Sequence, residues 1–218
     1  MVIFDCNGVL VDSEPIISAV IAEALRGAGV SITAEAVTQY FSGRRASDIF
    51  AEVEAKTGRR LPLNFSSSVA YATMNRLRAS LRATPHAAYA LSWLRGPKCA
   101  VSASSLERIK LCLDVTDLRR HFGDHLFSVN DLTAQASKAD LFLHVAGSVG
   151  IAAPDCIVVE DQPEGIAAAR AAGMKAIGYT GGSHAGVGLE SALMQAGAEA
   201  VIHDMRALKG VMVNLRGY

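Results

Sequence analysis

Six short apolar runs, at residues 2–4, 98–101, 126–129, 156–159, 176–179 and 200–202, punctuate the chain, and most are separated by longer stretches with helical spacing. A strand that reads as a continuous apolar run is one covered by helices on both faces, so this alternation predicts a parallel sheet in an α/β, Rossmann-like core. The connecting helices are legible at 106–114, 139–149 and 163–172, the last opened by Pro163 and closed by Gly173.

Between about Pro15 and Arg82 no strand run interrupts the pattern. Apolar residues recur there at helical spacing through Ile17, Ile21 and Leu25, then Ile49 and Val53, then Val69, Met74, Leu77 and Leu81. The expected organisation is a discontinuous α/β core, residues 1–13 and 83–218, with an all-helical cap inserted at 14–82. Such an insert follows the first strand, and ligands of open parallel sheets bind at the carboxyl ends of the strands. Residues 181–186, Gly-Gly-Ser-His-Ala-Gly, read as a flexible loop.

Half of the 218 residues are hydrophobic and 19% are charged, as in compact globular chains. Lys plus Arg (21) equals Asp plus Glu (21), so no basic field recruits nucleic acid or an anionic membrane. No apolar run approaches the ~20 residues of a membrane span. Met1-Val2-Ile3-Phe4 meets Asp5 too soon for a signal peptide, so a cytoplasmic location is expected, and so short a lead into the first strand points to a truncated start. Cys6, Cys99, Cys112 and Cys156 form no C-x-x-C pair, which suggests reduced thiols rather than zinc or a disulfide framework. A monomer or weak homodimer is expected.

Chemistry concentrates at strand ends. Val2-Ile3-Phe4-Asp5-Cys6-Asn7-Gly8-Val9-Leu10 carries a carboxylate off a buried strand into a glycine turn, and strand periodicity turns Asp5 and Asn7 the same way. Lys98-Cys99-Ala100-Val101-Ser102-Ala103-Ser104 puts a hydroxyl after the next core strand. Cys156-Ile157-Val158-Val159-Glu160-Asp161-Gln162-Pro163 ends a strand in adjacent acids and enters a helix rich in small residues. Hard oxygen ligands of this kind suit Mg²⁺, which takes one or two carboxylates and keeps several waters.

These three segments, in this order, resemble motifs I, II and IV of the haloacid dehalogenase superfamily, and the helical insert resembles the C1-type cap of its β-phosphoglucomutase-like phosphatase branch. The resemblance implies a hydrolase acting on a small phosphorylated metabolite with Mg²⁺. Asp5 would be the nucleophile, Ser102 would bind the transferring phosphoryl group, and Gly8 and Ala103 would lie against it. Asp5, Asp161 and the Asn7 backbone carbonyl would ligate the metal, with Glu160 supporting through a water. Gly43-Arg44-Arg45 is the counterpart of the cap loop that touches substrate, arginine forks being suited to phosphate or carboxylate.

Two departures bear on activity. Motif I carries Asn7 where phosphatases and phosphomutases have a second Asp, and an amide cannot transfer the proton that this Asp carries. Motif III reads Gln135-Ala136-Ser137-Lys138-Ala139-Asp140, and alignment on Asp140 puts Ala136 at the lysine position. Lys138 is a candidate replacement, although Ser137 and Asp140 also read as a helix cap that would leave Lys138 exposed in the first turn.

Three readings follow: a phosphatase retuned or impaired by Asn7 and Ala136, an inactive relative that binds Mg²⁺ or a phosphorylated ligand, and a carbon-centre hydrolase. Dehalogenases usually lack the acids that Glu160 and Asp161 supply. Phosphonatases need a cap lysine, and Lys56 reads more simply as a helix C-terminal charge. Asp12 and Ser13, where the chain leaves for the cap, read as hinge or capping residues.

Overall fold

The computed structural model describes residues 1–41, 43–133 and 136–216, and Gln135 of the third motif lies outside the described residues. Six strands form one parallel sheet: β1 (Val2–Asp5), β2 (Lys98–Ser102), β3 (Leu126–Ser128), β4 (Ile157–Glu160), β5 (Lys175–Tyr179) and β6 (Ala200–Ile202). Their order is β3-β2-β1-β4-β5-β6, every neighbouring pair parallel, with β1 in register with β2 from Val2↔Lys98 to Asp5↔Val101 and with β4 from Val2↔Ile157. The chain moves to one side of β1 and then to the other, so the carboxyl end of β1 is the point where a parallel sheet opens a crevice.

Ten α-helices accompany the strands among the described residues: α1 (Glu14–Gly27), α2 (Ala34–Phe41), α3 (Ala46–Thr57), α4 (Phe65–Ser80), α5 (Ala87–Trp93), α6 (Leu106–Val115), α7 (Lys138–Val149), α8 (Pro163–Ala171), α9 (Leu189–Gln195) and α10 (Leu208–Arg216). The chain divides into two compact units, Met1–Asp12 with Arg82–Tyr218, and Ser13–Leu81. Among the described residues no helix is long and apolar enough to cross a membrane.

In the first unit, Ile3, Cys99, Val101, Val158 and Ala176 share an apolar cluster with Leu141, Phe142 and Val145 of α7, Ile166 and Ala169 of α8, and Leu193 of α9. Each large aliphatic buried there contributes roughly 1.5–3 kcal/mol. Phe4, on the opposite pleat, meets Phe122 edge-on with ring centroids 6.3 Å apart. Asp5 has the parity of Ile3 and therefore leaves the sheet on the side of α7. The turn after β1 is pinned: Gly8 adopts φ +79°, its N–H donates to Val11 O at 2.8 Å, and the buried Thr84 hydroxyl donates to Val9 O at 2.6 Å.

The second unit has its own core. Val20, Ile21 and Leu25 of α1 pack with Val37, Phe41, Ile49, Phe50, Val53, Phe65 and Val69, and Phe50 meets Phe65 edge-on at 4.9 Å. Of the positions read along the insert, Ile21, Leu25, Ile49, Val53 and Val69 lie in this cluster, Ile17 packs against it and Leu77 and Leu81 are buried, whereas Met74 is half-buried and its neighbour Thr73 is the buried residue.

Candidate active site

Asp5, Glu160 and Asp161 are 5%, 0% and 1% exposed, a concentration of buried carboxylate that demands compensating partners. Lys138 supplies one. Ser137 caps α7 through reciprocal bonds with Asp140, its hydroxyl accepting from Asp140 N at 3.2 Å and its own N–H donating to Asp140 Oδ2 at 2.8 Å. The cap forms as the sequence suggests, and of the two readings open for Lys138, a replacement lysine or an exposed first-turn residue, the exposed one does not hold. The side chain is only 26% exposed and turns inward, Nζ lying 2.7 Å from Asp5 Oδ1 and pairing also with Glu160 Oε1. Ala136, at the aligned lysine position, packs against the apolar core.

Burial pushes the Asp5 carboxyl up to about 6, with Lys138 and the Asn7 backbone amide opposing and Asp161 adding to the rise. Burial likewise raises Glu160. Burial alone would lower Lys138, but Asp5 and Glu160 outweigh it and hold the ammonium protonated.

Glu160 faces inward to the protein. Its Oε2 accepts from the N–H groups of Asp161 at 3.1 Å and Gln162 at 3.3 Å, which fixes the turn into α8. A Cβ at Gly165 would come 2.2 Å from Glu160 Cδ, so the first turn of α8 closes over the carboxylate only because residue 165 is glycine.

Asn7 links motif I to the loop after β2. Its Nδ2 donates to Ser102 Oγ at 3.2 Å and Ser104 Oγ at 3.0 Å, and Ser104 N–H donates to Ser102 Oγ at 3.0 Å. Both acceptor positions of the Ser102 hydroxyl are thereby used, which frees its single proton to donate elsewhere. The loop is held from β3, where Ser128 Oγ donates to Ser104 O at 2.6 Å, and Asn130 Nδ2 donates to Ala103 O at 3.4 Å. Ser104 is a member of this cluster that sequence reasoning passed over in favour of Ser102; the Ser-Ala-Ser spacing was its signal.

A family model for haloacid dehalogenase-like hydrolases matches residues 1–173. The chain belongs to this family. Among curated relatives, the 6-phosphogluconate phosphatase of Escherichia coli strain K12 is 29% identical over 184 residues, 84% of this chain and 83% of the relative. Among solved structures, a conserved haloacid dehalogenase-like protein of unknown function from Agrobacterium tumefaciens is 36% identical, with a TM-score of 0.88 over 99% of this chain and 98% of that one. A hydrolase of the same family from Deinococcus radiodurans, solved with bound phosphate and sodium, is 28% identical with a TM-score of 0.80 over 99% and 95%.

In this haloacid dehalogenase-like hydrolase, Asp5, Asn7, Gly8, Ser102, Ala103, Lys138, Glu160 and Asp161 all belong to the first unit. The other candidates belong to the second. Gly43 has φ +77°, the Arg44 guanidinium pairs with Glu52 at 2.7 Å and lies over the Phe41 ring at 5.3 Å, and Arg45 is the N-cap residue of α3. Lys56 pairs with Glu52 at 2.6 Å, one helical turn away. Asp12, read as a hinge or cap, has a further partner: its Oδ1 accepts from Ser183 N at 3.2 Å and Ser183 Oγ at 2.8 Å.

Sequence reasoning missed His184. The segment read as a flexible loop buries this side chain to 3% exposure, with Nε2 lying 2.7 Å from Asp161 Oδ2. A histidine following β5, at the same strand ends as Asp5 and Asp161, was the available signal.

Proposed function

We propose that the chain is a Mg²⁺-dependent phosphatase of a small phosphorylated metabolite, with Asp5 as nucleophile. The observation that carries this reading is the position of Lys138, whose ammonium meets Asp5 at 2.7 Å from a place in the sequence that the family pattern does not give it. The relative that acts on 6-phosphogluconate puts sugar phosphates and sugar-acid phosphates first among candidate substrates.

The residues present fit a hard divalent cation. Asp161 Oδ1 is buried with no hydrogen-bond partner among the described residues. Asp5 and Glu160 share the single Lys138 ammonium, and Asp161 adds a third buried carboxylate whose charge acts on Asp5, so a divalent charge would improve the balance. Among the described residues no group of three or more His, Cys, Asp and Glu side chains could hold an ion, so the fit is to an open site of two carboxylates, Asp5 and Asp161, and the Asn7 carbonyl. Open sites of this kind suit Mg²⁺. When bound, the ion would draw the phosphoryl oxygens toward Asp5 and neutralise their charge.

The side chains then divide the work. Asp5 attacks phosphorus in line, forming an O–P bond as the bond to the leaving oxygen breaks and that oxygen takes a proton from water; a second water then attacks phosphorus, breaks the Asp5 O–P bond, and releases phosphate and restores the Asp5 carboxylate. The Ser102 hydroxyl and the Lys138 ammonium donate to the phosphoryl oxygens, so most of the rate comes from positioning and electrostatics. Glu160 serves the site by holding Lys138 and the turn that presents Asp161, and Arg44 and Arg45 are the proposed substrate contacts of the cap. Asn7 fixes the serine hydroxyls as donors but carries no proton to the leaving group, which slows both steps.

The test is phosphate release with Mg²⁺ from 6-phosphogluconate, hexose phosphates, phosphoglycolate and p-nitrophenyl phosphate. Asn7→Asp is expected to raise turnover about a hundredfold or more, the worth of a restored acid–base group. Asp5→Ala is expected to abolish it. If no variant turns over any substrate while Mg²⁺ or phosphate still raises the unfolding midpoint, the chain is a binding protein and the enzymatic reading is withdrawn.

A further inference from the structure

His184 sits in a slot made by two missing side chains. A Cβ at Gly8 would come 2.2 Å from Asp161 Oδ2 and 2.8 Å from His184 Cε1, and one at Gly182 would come 2.7 Å from His184 Cε1. Gly8 belongs to the turn after the nucleophile strand and Gly182 to the segment after β5, so residues far apart in sequence form the two walls. The segment is tied down by the bonds from Ser183 to Asp12 Oδ1. Bulk and anchoring together specify where the imidazole sits.

At Asp161 the two carboxylate oxygens have different surroundings. Oδ2 accepts from Gln162 Nε2 at 3.0 Å and lies 2.7 Å from His184 Nε2, whereas Oδ1 is buried without a hydrogen-bond partner among the described residues. A carboxylate held by one oxygen and bare at the other is oriented to bind a cation through the bare one. Partners of this kind usually fix the direction of a metal ligand and tune its affinity.

We infer that His184 is a positioning residue: with Gln162 it occupies Asp161 Oδ2, and so directs Oδ1 to the cation as a one-oxygen ligand. The Asp12–Ser183 clamp holds the segment that carries the imidazole, and the space left at Gly8 and Gly182 lets it reach that oxygen. The inference rests on the metal site proposed above, and it concerns His184 as a contact to Asp161 rather than as a proton carrier.

The experiment is calorimetric titration with Mg²⁺ alone, without substrate, on the full chain and on His184→Ala, His184→Gln and Asp161→Ala, with unfolding midpoints taken in chelator. His184→Ala is expected to weaken Mg²⁺ binding about 10–100-fold, the usual cost of removing such a partner. His184→Gln, whose Nε2 can reach the place of the imidazole Nε2, is expected to recover most of that loss. If Asp161→Ala loses Mg²⁺ while both His184 variants bind it as the parent does, the role of His184 is overturned and the metal site stands. Equal weakening in the Ala and Gln variants also overturns it, because a merely structural histidine would produce that pattern. If Asp161→Ala binds Mg²⁺ like the parent, the metal site itself is wrong. Should His184→Ala fail to fold, Asp12→Asn loosens the clamp instead, and unchanged Mg²⁺ affinity in that variant counts against the inference.

Discussion

Lys138 and Lys56 make ion pairs of nearly equal length, 2.7 Å to Asp5 and 2.6 Å to Glu52. Their surroundings differ. The Lys138 side chain is 26% exposed and its partners Asp5 and Glu160 are 6% and 0% exposed, whereas Lys56 is 73% exposed and Glu52 is 27%. Water and salt screen the second pair, and its flexible side chains lose freedom in forming it, so such pairs contribute little. In the first pair the charges have few alternatives to one another, and removing one leaves the others stranded. Length alone does not report what an ion pair does; burial does.

The comparison is broken most forcefully by Lys138→Met. Stranding Asp5 and Glu160 is expected to cost about 3 kcal/mol in denaturant unfolding, and loss of the donor should lower phosphate release about 10²–10³-fold. Unchanged stability and turnover would mean that the buried pair behaves like the exposed one. Gly165→Ala sharpens the contrast from the other side of Glu160. Its new Cβ must displace the carboxylate, at about 1–3 kcal/mol for overpacking, with a smaller loss of turnover as Lys138 loses its second anchor. A fully stable, fully active Gly165→Ala would show that the glycine does not serve Glu160. The smallest effect is expected for Lys56→Ala, which should leave both the unfolding midpoint and phosphate release within experimental scatter; a clear drop in turnover would give that lysine a part in the reaction.

The fold was legible because its signals are local. Buried parallel strands are apolar along their length, so the runs at 156–159 and 200–202 lie within a residue of β4 and β6, and Pro163 marks the start of α8. The capping box of Ser137 and Asp140 was equally local and equally legible. What stayed open for Lys138 was direction. A first-turn lysine faces solvent or sheet according to how the helix is laid on its neighbours, and Lys138 meets Asp5 across 133 positions of sequence. His184 escaped for a related reason: Gly181, Gly182 and Gly186 look like flexibility in one dimension, but the burial of His184 depends on Gly8, Asp12 and Asp161, none of them nearby in the chain.

The central place of β1 bears on how the chain folds. This strand pairs at Val2 with Lys98 on one side and Ile157 on the other, so it is made early and flanked late. Contacts of such long sequence separation slow folding, and an apolar strand awaiting its neighbours is open to mispairing with other chains. Helices α1 to α4, which make up the compact unit Ser13–Leu81 with its own apolar core, can form while the sheet is still incomplete. On the ribosome, then, the segment carrying Asp5 would wait longest for its surroundings, and the capacity to react would arrive only when the last flank of the sheet closes.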